Sequence, residues 1–205
     1  MLKPYLFSLL CLVAMTQSCA PRKIKPLRVG DLLSVNITNE LGIDVTKMPS
    51  IQIDDGLKPY LSEFLDDATR RGVDIPQDTI DMLRQIKYVD VLSAGDAPGV
   101  VAACSRYYAY DQTLEGKNKI RWMIIEVLQA GAAEFTGGNL IYLKELLYHE
   151  LYHCLLNKGH LPTGVIGVMS AVLDKNDPRV ITEWDQLVDE MFSAEYRNLT
   201  PDIAD

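Results

Sequence analysis

The chain has 205 residues, of which 28 are acidic and 20 are basic, so its formal net charge is −8. This acidic balance argues against nucleic-acid binding, which requires clustered positive charge, and we expect no nucleic-acid partner. Hydrophobic residues make up 48% of the sequence. We expect one domain with its own hydrophobic core, and a monomer.

Residues 1–18 are predicted to be a lipoprotein signal peptide. Lys3 supplies a positive charge, and the apolar stretch that follows is too short to span a membrane. The small residue before Cys19 resembles a bacterial lipobox, in which the cysteine is lipidated and becomes the first residue of the mature protein. Ordinary secretion with cleavage nearby is the alternative. The protein is exported in both cases, and a lipid on Cys19 predicts an anchored protein of the bacterial cell envelope that faces the periplasm or the outside.

Residues 19–50 are predicted to be a lipidated tether and an N-terminal arm. The short basic segment 22–28 fits a solvated tether near a membrane surface. Residues 31–52 alternate in places between apolar and polar side chains and predict a strand or an ordered arm. Residues 51–205 then form the folded domain.

The first half of the folded domain is predicted to contain one helix and three strands. Asp54 and Asp55 are predicted to cap a helix that has an apolar stripe and ends at Gly72. Short runs rich in β-branched or aromatic residues predict strands at 86–92, 100–108 and 120–127.

All three histidines of the chain fall within a second predicted helix and its exit turn. Leucines at three- and four-residue spacing predict a buried helix between the N-cap Asn139 and the turn formers Asn157 and Gly159. His149 and His153 lie four residues apart, so they occupy the same face of this helix. Both can therefore direct an imidazole nitrogen to one metal ion.

The turn after this helix can bring His160 back toward the same ion. Three protein ligands with a fourth position open to water are typical of catalytic rather than structural zinc. Glu150 lies at the edge of the histidine face, where its carboxylate can act as general base on a metal-bound water. The alternative is a core helix that happens to contain histidines, but buried ionisable side chains are uncommon without partners. We expect one zinc ion per chain, held by His149, His153 and His160.

The end of the chain is predicted to form a last helix. Asp177 and Pro178 are predicted to break the chain, and Thr182 with Asp185 resembles a capping box. The order of helix, strands, histidine helix and final helix predicts an α+β fold.

The run from His149 to His160 reads His-Glu-x-x-His-Cys-x-Leu-x-x-x-His. It resembles the motif of a group of small bacterial lipoproteins regarded as metallopeptidases, and it is similar to the metzincin branch of zinc metallopeptidases, whose third histidine comes one residue earlier. The resemblance implies that residues 51–205 form a compact zincin- or metzincin-like domain with a small twisted sheet, an active-site helix, a methionine turn and a C-terminal helix. It also implies that Met169 lies in the methionine turn beneath the metal, as an apolar support rather than a ligand.

The cysteines predict one disulfide. Cys11 leaves with the signal peptide and Cys19 carries the lipid, so Cys104 and Cys154 remain as a pair in an oxidising compartment. Their bond would tie a strand to the histidine helix. Two separate buried thiols are the alternative.

The resemblance implies a zinc metalloendopeptidase that acts on peptide or protein substrates, with Glu150 as the base for the attacking water. The strand at 120–127 is predicted to be an edge strand that holds an extended peptide by backbone pairing. Two alternatives stay open. In the first, the third ligand is Glu183 or Glu190 on a later helix. In the second, the protein is a non-catalytic lipoprotein that keeps zinc to stabilise its fold or binds a partner on its surface.

Overall fold

The computed structural model describes residues 48–93, 99–110, 118–173 and 177–203. These residues form a mixed α+β structure in which helices pack against one four-stranded sheet. The predicted signal peptide, the lipidation site Cys19 and almost all of the predicted tether and arm lie outside the described residues.

The sheet combines parallel and antiparallel pairing. Its strands are β1 (Gln52–Ile53), β2 (Leu83–Val89), β3 (Ala102–Tyr110) and β4 (Asn118–Leu128). Their order across the sheet is β1-β2-β4-β3, with β1, β2 and β4 parallel and β3 antiparallel to β4. In the described part of the chain, β3 is therefore an edge strand that runs against the direction of the others.

The described residues contain seven helices, whereas the sequence predicts three. The helices are α1 (Lys58–Arg70), α2 (Gln77–Met82), α3 (Gln129–Thr136), α4 (Leu140–Leu156), α5 (Pro178–Thr182), α6 (Trp184–Phe192) and α7 (Ala194–Leu199). None of the helices in the described ranges has both the length and the apolar character that crossing a membrane requires.

The strand predicted at 120–127 is β4, and the expectation that it forms an edge of the sheet is wrong. It pairs with β2 on one side and β3 on the other. Residues 122–127 are all buried. A strand covered on both faces reads as a nearly continuous apolar run, and the run Trp-Met-Ile-Ile at 122–125 carries this signal.

The predicted N-cap of the first helix is also wrong. α1 begins at Lys58, one turn later than Asp54 and Asp55 suggest, and it has a proline in its first turn. The Asp54 carboxylate instead accepts a hydrogen bond from the backbone N–H of Tyr88, at 2.8 Å, and so joins this segment to β2. The end of the helix matches the prediction, because Gly72 follows it with a φ of +71°.

The predicted capping box before the last long helix does not form. Asp177 and Pro178 begin the short helix α5, and the Asp177 carboxylate accepts from the backbone N–H of Arg179 at 3.0 Å. The hydroxyl of Thr182 donates to the carbonyl of Pro178 within that helix. Thr182 is thus the last residue of α5, and Glu183 rather than Thr182 occupies the N-cap position of α6, which has no side-chain cap.

α4 is the central helix of the described structure. Its residues 145–155 are all buried. The helix contacts the edge strand β3 as well as β4, α1, α3 and α5. Because packing surrounds it on several sides, the histidine face of α4 lies inside the protein rather than on a free surface.

Candidate metal centre

The two ends of α4 form as their sequence predicts. Asn139 is the N-cap, and its side chain accepts from the backbone N–H of Ile141 at 3.2 Å. Asn157 ends the helix in the left-handed conformation, with a φ of 56°. Among non-glycine residues, asparagine tolerates this conformation well. The left-handed residue turns the chain back toward the helix, which brings His160 beside the histidine face.

The three histidines meet at one point through the same atom of each ring. The Nε2 atoms of His149 and His153 are 3.0 Å apart, those of His153 and His160 3.1 Å, and those of His160 and His149 3.2 Å. Nitrogen ligands on a tetrahedron around zinc, with Zn–N bonds of about 2.05 Å, lie about 3.3 Å apart. The triangle therefore has nearly the dimensions that three zinc ligands require.

Backbone carbonyls determine which nitrogen of two rings carries the proton. Nδ1 of His149 lies 2.7 Å from the carbonyl oxygen of Val168, and Nδ1 of His153 lies 2.6 Å from that of Lys158. A carbonyl oxygen only accepts, so each Nδ1 carries a hydrogen and donates it. Each Nε2 then presents a lone pair to the centre of the triangle. This is the arrangement in which a second hydrogen bond orients a metal-binding histidine.

Burial favours the neutral form of all three imidazoles. It lowers the pKa of His149 to about 3, with a smaller contribution from His160, against the opposing effect of the bond to Val168. It lowers the pKa of His153 well below the usual value, aided by the charge of His149. Burial also lowers the pKa of His160. Neutral imidazole is the form that binds metal, so at neutral pH no proton has to be displaced.

The donor set of this triangle fits a cation. Lone pairs on the Nε2 atoms of His149 and His153 face each other across 3.0 Å with no proton between them. A metal ion removes that repulsion and uses all three nitrogens. Among the described residues, these three histidines are the group of side chains close enough together to hold an ion. Imidazole ligands in a tetrahedral arrangement favour zinc among the common metals.

The expected general base, Glu150, directly follows His149 in α4 and lies outside the group of candidate ligands. Its side chain is buried, and Oε2 accepts from the backbone N–H of Cys104 at 2.7 Å. Burial raises the pKa of this carboxyl to about 8, although the hydrogen bond from Cys104 opposes the shift. The carboxylate does not belong to the metal-ligating group. The hydrogen bond fixes its position between the histidine helix and the edge strand.

Cys104 and Cys154 form a disulfide, with their Cα atoms 5.8 Å apart. The bond joins β3 to α4 one residue after His153. It therefore fixes the strand that donates to Glu150 against the helix that carries Glu150.

Met169 lies in a buried turn that contacts the centre through its neighbours. The backbone N–H of Ser170 donates to the carbonyl of Gly167 at 3.0 Å and closes the turn. Val168, directly before Met169, supplies the carbonyl that orients His149. The carbonyl of Met169 accepts from the backbone N–H of Leu161, which follows His160, at 2.8 Å. The turn is thus bonded to the surroundings of two candidate ligands.

The alternative third ligands lie elsewhere. Glu183 is exposed before α6, and Glu190 accepts a hydrogen bond from Gln186 on the surface of the same helix. Neither glutamate belongs to the group of described residues that can hold an ion, whereas His160 does. His160 is half-buried and forms the most accessible corner of the triangle.

Sequence reasoning missed the groups that orient the histidines. The acceptors are backbone carbonyls of Val168 and Lys158, and any residue type provides such a carbonyl. It also missed Arg106, a buried residue of β3 whose guanidinium donates to the side chain of Asn157. Comparisons with protein-family models, curated proteins and solved structures find no match to this chain.

Proposed function

We propose that this protein is a zinc-dependent peptidase in which His149, His153 and His160 hold one zinc ion and Glu150 is the general base. The observation that carries the proposal is the triangle of Nε2 atoms, 3.0–3.2 Å apart, with two of the rings oriented by backbone carbonyls. Three histidine ligands leave a fourth position for water or substrate, as in catalytic zinc sites.

The chemistry follows from the placement of Glu150 next to the first ligand. The three histidines would hold a zinc ion that, when bound, would supply an activated water with a pKa of about 7 and would polarise a carbonyl. In its ionised form, which predominates above its pKa of about 8, Glu150 would accept the proton of the attacking water and would pass it to the leaving amine. The hydrogen bond from Cys104 occupies Oε2 and holds the carboxylate in one orientation, so the group needs no reorganisation before it acts.

The edge strand β3 is the proposed binding surface for the substrate. It lies at the end of the sheet and contacts α4, and its Cys104 is bonded both to Cys154 and to Glu150. An extended peptide can add to such an edge by backbone hydrogen bonds, which give affinity without a sequence-specific pocket. β3 takes the role that the sequence assigned to residues 120–127.

The finer assignment of fold and location is part of the same proposal. The resemblance of residues 149–160 favours a zincin- or metzincin-like domain, with Met169 as an apolar support under the metal. The mixed sheet with an antiparallel edge strand beside the histidine helix supports this assignment. The signal-peptide pattern and Cys19 favour an exported, lipid-anchored protein of the bacterial cell envelope.

A non-catalytic zinc lipoprotein is the second candidate. It is favoured by one observation: Glu150 is only 2% exposed and already bonded to a backbone N–H. A carboxylate in that state can serve to join the helix to β3. In this case zinc stabilises the fold, and the surface binds a partner.

The test compares the unmodified chain with Glu150→Gln, which keeps the shape of the side chain. Both are purified without added metal, and zinc content and hydrolysis of a mixture of quenched fluorescent peptides are measured. The peptidase proposal predicts about one zinc per chain in both proteins and hydrolysis by the unmodified chain alone. Zinc in both proteins with no hydrolysis by either favours the non-catalytic candidate. Absence of zinc from both overturns the metal site.

A further inference from the structure

The last described residues of the chain bond to the turn that carries the third histidine. We call residues 193–203, which comprise α7 and the segment after it, the C-terminal segment. The backbone N–H of Ile203 donates to the carbonyl of Asn157 at 2.9 Å, and the N–H of Gly159 donates to the carbonyl of Pro201 at 2.7 Å. Between these bonds, Lys158 pairs with Asp202 in an antiparallel bridge. Three consecutive residues before His160 are thus paired with the C-terminal segment.

The same segment holds the turn around Met169. The hydroxyl of the buried Tyr196 accepts from the backbone N–H of Met169 at 2.9 Å. The carbonyl of Met169 accepts in turn from the N–H of Leu161. Both neighbours of His160 along the chain are therefore held by the C-terminal segment, Gly159 directly and Leu161 through Met169.

Two glycines mark how closely the C-terminal segment approaches. A Cβ added to Gly159 would lie 3.3 Å from both Cγ and the carbonyl oxygen of Pro201, and one added to Gly167 would lie 2.7 Å from the hydroxyl of Tyr196. Neither glycine has a positive φ. Close packing, rather than an unusual backbone conformation, therefore accounts for glycine at both places.

We propose that the C-terminal segment is a positioning element of the metal centre, which places His160 so that it completes the three-histidine site. The inference rests on the proposed metal site but not on peptidase activity. Pro201 bonds to Gly159, directly before His160, and Tyr196 bonds to Met169, which in turn bonds to Leu161, directly after His160. Both are positioning residues, because they act on the candidate ligand His160 through its neighbours. If the C-terminal segment only stabilised the fold, disrupting it would lower the melting temperature without changing the zinc affinity of the folded chain.

The experiment measures zinc affinity by competition with a chromophoric chelator, using the full chain and the variant Gly159→Ala. The added methyl group pushes Pro201 away from the turn, so we expect a 10- to 100-fold weaker affinity, the range typical when groups that orient a ligand are changed. The same substitution is then made together with His160→Ala. If the C-terminal segment acts through His160, the double variant should bind zinc less than about threefold more weakly than His160→Ala alone.

The control is Gly131→Ala in α3, where the new Cβ would meet a side-chain carbon of Leu128 at 3.2 Å, a similarly close contact away from the histidines. We expect its zinc affinity to equal that of the unmodified chain. Equal losses from Gly159→Ala with and without His160, or no loss in either, would overturn the proposal. Absence of zinc binding by the unmodified chain would overturn the metal site and the proposal together.

A second variant decides the question if Gly159→Ala does not fold. Tyr196→Phe removes the acceptor of the Met169 N–H and leaves the ring in place. Its control is Tyr148→Phe, which removes another buried hydroxyl, one that donates to Asp67 instead of accepting from Met169. The proposal predicts that Tyr196→Phe weakens zinc affinity in the unmodified background but not in the His160→Ala background. It also predicts that Tyr148→Phe leaves zinc affinity unchanged. Equal zinc affinity of the unmodified chain, Tyr196→Phe and Tyr148→Phe, all folded, overturns the proposal.

Discussion

The two helix histidines differ from His160 in what holds them. His149 and His153 are fixed by the four-residue spacing of α4 and are almost fully buried, at 2% and 4% exposure. His160 is half-buried and lies on a turn whose shape depends on residues some forty positions later in the chain, near Pro201. One part of the centre is therefore built by local structure and the other by tertiary contacts. The positions of His149 and His153 should therefore tolerate changes elsewhere in the protein, whereas the position of His160 should respond to changes in the C-terminal segment.

The largest expected effect comes from removing a helix histidine. A zinc site is worth about 10–16 kcal/mol in zinc-binding peptides, which is roughly 4 kcal/mol for each of three protein ligands. We expect His149→Ala to weaken zinc affinity roughly a thousandfold. His160→Ala should cost at least about tenfold less, because water can reach the half-exposed position that His160 leaves.

Chelator competition on the two variants checks this difference. Circular dichroism of the metal-free proteins serves as the control that α4 remains folded in both. Equal losses of zinc affinity for the two variants would contradict the distinction between a buried helix pair and an accessible third ligand.

Removing the disulfide is expected to have the next largest effect. This bond ties α4, the helix that carries His149 and His153, to β3. Cys104 and Cys154 are 50 residues apart, and closing a loop of this size contributes about 2–4 kcal/mol to the free energy of unfolding. Replacing both with alanine should lower that free energy by this amount in denaturant titrations. Zinc affinity should change by less than about tenfold, since the spacing of the helix histidines does not depend on the bond.

The reduced wild-type protein should show the same lower stability as the double variant. If the stability of the double variant equals that of the oxidised protein, the bond does not hold β3 to α4 in solution. A loss of zinc affinity as large as that of His149→Ala would show that α4 itself requires the disulfide.

An intermediate effect is expected at the residue that joins the two parts of the centre. Asn157 has a φ of 56°, which alanine adopts only at a cost of about 1–2 kcal/mol. Asn157→Ala should lower the free energy of unfolding by about this amount and weaken zinc affinity by displacing the exit turn. Asn157→Gly is the matched control, because glycine adopts the conformation without strain and also loses the bond to Arg106. Denaturant titrations in which the two variants are equally destabilised would show that the side-chain bond matters more than the backbone conformation.

The helix histidines could be predicted from the sequence because their signal is local. The spacing of His149 and His153, the N-cap Asn139 and the left-handed Asn157 all follow from rules that involve a few neighbouring residues. The leucine pattern of α4 likewise predicted a buried helix, and the structure buries residues 145–155.

The exit turn also indicated His160 as the third ligand, and the three histidines do meet. The contacts that position His160 could not be predicted, because their signals are distant or lie in the backbone. The carbonyl of Pro201 and the N–H of Gly159 form their bond without any side chain. The sequence predicts Gly159 as a turn former, but it has no positive φ, and glycine is needed there because Pro201 lies close. Strand order in the sheet also depends on contacts far apart in sequence, and for this reason β3 rather than residues 120–127 occupies the edge.

The smallest effect is expected from removing the surface ion pair of the exit turn. This change distinguishes the contribution of the ion pair from that of the backbone hydrogen bonds. The ammonium group of Lys158 lies 2.6 Å from the carboxylate of Asp202, whose side chain is 75% exposed. Exposed ion pairs contribute about 0–1 kcal/mol, because water and salt screen them. Asp202→Asn should therefore leave both zinc affinity and stability nearly unchanged, and raising the salt concentration should have as little effect on the unmodified chain. A loss of zinc affinity comparable to that of Gly159→Ala would show that the ion pair, rather than the backbone bonds of Gly159 and Ile203, holds the turn beside His160.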